Sequence, residues 1–168
     1  MSDLDTPTKP LSHLRSEALA LRRALDAAGT GRDLRTLAGW ITDAQDLSRS
    51  TLDILLDHTP ARSRTTADDL LSLERLTQIA KAAQDAGAEL TAALARAVEN
   101  QRRCAAASSG RVVVIGPSPQ QLITSAVDLL GRIPALCQAI HRDRLVERTA
   151  PQPDPGLASA QQQPKGTT

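Results

Sequence analysis

Apolar residues recur along most of this chain in alternating steps of three and four. Leu11, Leu14, Ala18, Leu21, Leu25 and Ala28 make the first such row. Steps of three and four return a side chain to one face of a helix, so the row predicts an amphipathic helix over 11–28. Gly29 ends it, because glycine readily takes the left-handed conformation just past a helix C-terminus. A second row, Leu34, Leu37, Ile41, Ala44, Ser48, Thr51 and Leu55, predicts a helix over 31–58. Thr30 with Asp33 three residues on reads as its capping-box-like start. Pro60 and the polar run behind it break that helix.

The third row runs from Leu73 through Leu76, Ala80, Ala83, Gly87, Leu90, Leu94 and Ala97 to Gln101 with no proline in it. It predicts one helix over 66–107, capped by Thr65 or Thr66 ahead of Asp68 and Asp69. About 40 residues at 1.5 Å each give a rod of about 60 Å. The fourth row, Leu122, Ala126, Leu129, Ile133, Leu136 and Ile140, predicts a helix over 118–148. Ser118, Pro119 and Gln121 supply its start: a hydroxyl cap, proline at the first helical position and a capping-box partner at the third. Gly131 and Pro134 lie inside this row, and an internal proline removes a backbone hydrogen bond, so a kink is expected there. Residues 1–10 read as a polar arm and 149–168 as a disordered tail rich in Pro and Gln. Short connections place successive helices antiparallel. The fold class expected is therefore all-α: an elongated antiparallel four-helix bundle over 11–148, with coiled-coil-like seams, a very long third helix and a kinked fourth.

Composition sharpens this picture. Of 168 residues, 27 are Ala and 24 are Leu, with one Trp and no Tyr or Phe. Ala and Leu are strong helix formers, and the aromatic strand formers are almost missing. The 20 basic and 19 acidic residues nearly balance, so no global field draws the chain to nucleic acid or an anionic membrane. The N-terminus has no apolar run of the secretory kind, and no stretch approaches about 18 uninterrupted apolar residues. Cys104 and Cys137 stand alone, without CxxC spacing. A cytoplasmic protein with no membrane association is the expectation.

The one interruption in the helical pattern that resembles a catalytic loop is "SSGRVVVIGPSPQQ", Ser108 to Gln121. A phosphate loop needs a second glycine and a lysine after Gly116, and both are missing. A nucleophile elbow needs G-x-S-x-G, and Gln120 stands where the second glycine belongs. Ser118 therefore reads as a helix cap, and Val112 to Ile115 as an apolar lid over the bundle end. His13, His58 and His141 fall on three helices without metal-ligand spacing. No catalytic, cofactor-binding or metal-binding residue is expected.

Arg62, Arg64, Arg142, Arg144 and Arg148 could share one basic end of the bundle, although cations at helix C-termini also oppose the helix dipole. Within Asp33–His58, "DLRTLAGWITDAQDLSRSTLDILLDH" resembles a helix-turn-helix segment. Leu37-Ala38 would lie in the first helix, with a turn near Thr42 to Asp46 and a recognition helix opening at Leu47. By that resemblance Ser48, Arg49, Ser50 and Thr51 would face DNA, and the long third helix would be the dimerisation arm. The other reading needs no nucleic acid. A third helix much longer than the first leaves part of its apolar face uncovered, and Leu90, Leu94, Ala97 and Val98 would pair with another chain. Trp40, at the edge of its seam, is either a core plug or an interface anchor. The favoured expectation is a non-enzymatic interaction module that forms homo-oligomers or binds a protein partner. The DNA-binding regulator is the alternative.

Overall fold

A computed structural model describes residues 8–27, 33–59, 66–106 and 116–149, excepting the side chains of Thr8, Lys9, Glu147 and Arg148. These residues form four helices: α1 (Thr8–Ala27), α2 (Leu34–His58), α3 (Ala67–Ala106) and α4 (Pro119–Thr149). No strand occurs among the described residues. The chain is an all-α four-helix bundle. Residues 1–7 of the expected N-terminal arm, Thr30, Val112 to Ile115 and residues 150–168 of the expected tail lie outside the described residues, while residues 8–10 belong to α1 and Thr149 to α4.

Local chemistry sets three of the helix starts. Ser118 and Gln121 cap α4 reciprocally: the Gln121 amide donates to Ser118 Oγ at 3.2 Å, and the Ser118 amide to Gln121 Oε1 at 2.8 Å. Thr66 and Asp69 do the same for α3, at 3.1 and 2.9 Å. The start of α2 differs from the sequence expectation. Asp33 is itself the cap, accepting from the Thr36 amide at 2.6 Å, and the helix begins at Leu34 rather than Gly31. α4 continues through Pro134 without a break.

The helices touch as a ring, α1 on α2, α2 on α3, α3 on α4 and α4 on α1, and the diagonal pairs do not meet among the described residues. Arg75 near the start of α3 pairs with Asp143 near the end of α4. At the other end Arg96 lies over Gly116, which precedes α4. The two helices are therefore antiparallel. Arg22 of α1 lies against Gly131 and Arg15 acts on Cys137, so α1 and α4 are antiparallel as well.

Leucine and isoleucine fill the middle: Leu14, Leu25, Leu37, Leu76, Ile79, Leu90, Leu130, Ile133 and Ile140 are all fully buried. Alanine sets the spacing, with Ala18, Ala44, Ala83, Ala86, Ala93 and Ala126 completely covered. A methyl placed on Gly87 would lie 3.7 Å from the Ala44 methyl, so α2 and α3 approach closely there. The core extends to Trp40 and Leu47 on α2, neither of which belongs to the row of steps of three and four.

Candidate interaction surfaces

The residues from Thr42 to Asp46 are helical, inside the unbroken α2. A helix-turn-helix needs a turn there to send the second helix out at an angle, and α2 has none. Two of the four expected DNA contacts are also covered. Thr51 is fully buried and its hydroxyl donates to the Leu47 carbonyl at 2.8 Å, while Ser48 is buried beside it. Ser50 is half-buried, and Arg49 is exposed but held by Asp46 at 2.9 Å. The resemblance fails because Ser48 and Thr51 fit the buried seam of α2 at helical spacing, as small polar side chains inside the bundle.

The long third helix is also better covered than its length implies. Leu90 is fully buried, and Leu94 and Ala97 pack half-buried against the core. Only Val98, 46% exposed, stands clear. Beyond it α3 carries no apolar row, and Arg102 and Arg103 close onto one carboxylate, Glu99, at 3.2 and 2.7 Å. The Arg103 hydrogen bond holds the Glu99 carboxyl below its usual range. The expected uncovered stripe is missing because α4 starts alongside the second half of α3, with Leu122 against the core. Trp40 is a core residue, 8% exposed, and offers no anchor to a partner.

Exposed apolar side chains gather elsewhere. α3 begins and α4 ends at one pole of the bundle, as the Arg75–Asp143 pair requires, and only eight residues separate the end of α2 from the start of α3. Leu52 and Leu56 on α2, Leu70 and Leu71 on α3, and Leu145 and Val146 on α4 are all exposed there, Leu56 at 69% and Val146 at 63%. Scattered surface apolar side chains are ordinary, but five leucines and a valine within two turns of one pole are not. Composition gives no sign of them, because an apolar row shows its own spacing and not which flank its neighbours leave uncovered.

The same pole carries part of the expected basic end. Arg142 is exposed on α4, and Arg144 is half-buried. Asp69 is held below its usual carboxyl range first by the backbone amide of Thr66, and in lesser part by the Arg144 charge. Arg62, Arg64 and the side chain of Arg148 lie outside the described residues.

Between α1 and α4 runs an open groove of about 850 Å³. Leu11, Leu19 and Leu145 line it with Cys137 at its floor, and Arg15, His141 and Arg142 stand along it. No carboxylate lines it among the described residues. Burial pushes the Cys137 thiol up to about 11, against an opposing effect of Arg15. A thiol so raised is neutral near pH 7. Cys104 is exposed on α3. No group of three metal-ligating side chains occurs among the described residues. The His58 Nδ1 lies 2.7 Å from the Ile54 carbonyl, which only accepts, so that nitrogen carries the proton.

Taken alone, α4 from Pro119 to Val146 is long and apolar enough to cross a bilayer. In the bundle its apolar row packs on α3 and α1, while Asp128 and Arg132 face outward. Compared with known protein families, curated proteins and solved structures, the chain matches none.

Proposed function

We propose that this chain is a non-enzymatic helical interaction module, acting in the cytoplasm by self-association through the apolar pole. One observation carries the reading: Leu52, Leu56, Leu70, Leu71, Leu145 and Val146 are all exposed within two turns of the helix ends at one pole of the bundle. Apolar side chains gain about 25 cal/mol per Å² when a partner removes them from water, and their concentration at one end of the molecule supports an interaction site there. Two free cysteines suit a reducing compartment. Light scattering on the full chain across a wide concentration range tests the proposal. The wild type should exceed monomer mass, and Leu56→Glu with Leu70→Glu should return it to monomer with the helical circular dichroism unchanged. A wild type that stays monomeric at high concentration would overturn it.

A further inference from the structure

The groove between α1 and α4 is one-sided in charge. Arg15, His141 and Arg142 line it, no acid does, and neither arginine makes an ion pair among the described residues. Its floor and walls are apolar at Leu11, Leu19 and Leu145. Such a site suits an acidic amphipathic helix, laid in by its apolar side chains and oriented by its carboxylates.

This chain carries that helix on its own surface. Leu52 and Leu56 are one turn apart on α2 and exposed, so they form a ridge. Asp53 and Asp57 follow them directly, both exposed and neither in an ion pair among the described residues. Arg49, one turn earlier, is already held by Asp46 and leaves the ridge acidic. The sizes agree. Leu11 to Leu19 spans about 12 Å along α1, and Leu52 to Asp57 spans about 8 Å along α2, at 1.5 Å per residue.

We infer that the α2 ridge of one copy docks into the α1–α4 groove of a second copy. The inference rests on the self-association proposed above and specifies its two halves. Ridge and groove are different patches, so the contact is heterologous, and each molecule offers one of each.

Charge reversal tests this on the full chain. Arg15→Glu with Arg142→Glu makes both groove and ridge acidic. Asp53→Arg with Asp57→Arg makes both basic. Each double variant alone should sediment as a monomer, and an equimolar mixture of the two should regain the wild-type mass. The quadruple variant, with both charges reversed, should self-associate by itself. Circular dichroism of each variant checks that the fold is retained, since all four side chains are exposed. If the wild type associates but either double variant keeps its full mass, the pairing is wrong while self-association stands. A mixture that stays monomeric also overturns the pairing. A monomeric wild type overturns both.

Discussion

At the scale of single residues, the helix starts carry the clearest chemistry. The Ser118 hydroxyl satisfies a backbone amide that the first turn of α4 leaves without a helical partner. Ser118→Ala should lower stability by about 1 kcal/mol, read as a lower urea midpoint at unchanged slope. Asp33 acts in the same way on α2, and the Thr36 backbone amide holds its carboxyl below the usual range. A carboxyl depressed by folding contributes stability above its unfolded value, and that contribution is lost as pH falls through it. Acid should therefore weaken the bundle below the ordinary 3.8 of an aspartate. Asp33→Ala should flatten that part of the stability–pH profile, and urea melts at a series of acidic pH values would show whether it does. Gly116 has its own requirement. Its φ of 102° is a left-handed value that other residues avoid, and a Cβ would lie 2.5 Å from Arg96 Nη2.

At the scale of elements, much of each helix was legible in the sequence, and its neighbours were not. Ser118 with Gln121 is a local signal, complete within four residues, and it placed the start of α4 to within one residue. The steps of three and four found all four helices. What the rows could not show is which flank of each helix its neighbours take. Trp40 and Leu47 moved into the core because α2 turns that flank inward. Leu90 was read as an outer residue because the position of α4 along α3 is not written in either row alone. The structure separates the two roles sharply. Leu90→Ala should cost about 2–5 kcal/mol, as a fully buried leucine lost from a close-packed core. Val98→Ala, eight residues on, should change stability by less than about 0.5 kcal/mol. Equal losses in the two variants would show that α3 is not packed as described. The helix-turn-helix resemblance misled for a related reason: a small polar residue facing a neighbouring helix and one facing a groove of DNA look alike in sequence.

At the scale of the whole molecule, each helix has two neighbours and none across the diagonal. The ring is fastened at the apolar pole by Arg75 and Asp143, which lie 68 residues apart in the chain. Their side chains are 20% and 34% exposed, so solvent screens the pair in part. A double-mutant cycle with Arg75→Ala and Asp143→Ala should give a coupling of about 0.5–1 kcal/mol that shrinks with added salt. Coupling that is absent at low salt would mean the pair does not hold the two helix ends together. Elsewhere in the ring, α2 and α3 are kept close by small residues rather than bonds. A methyl added at Gly87 would lie 3.7 Å from that of Ala44, an ordinary contact, so alanine fits there and the room runs out only for larger side chains. A bulkier residue at one site can be accommodated only while the other stays minimal, and a lineage drifting through larger side chains here would have to change the two in concert.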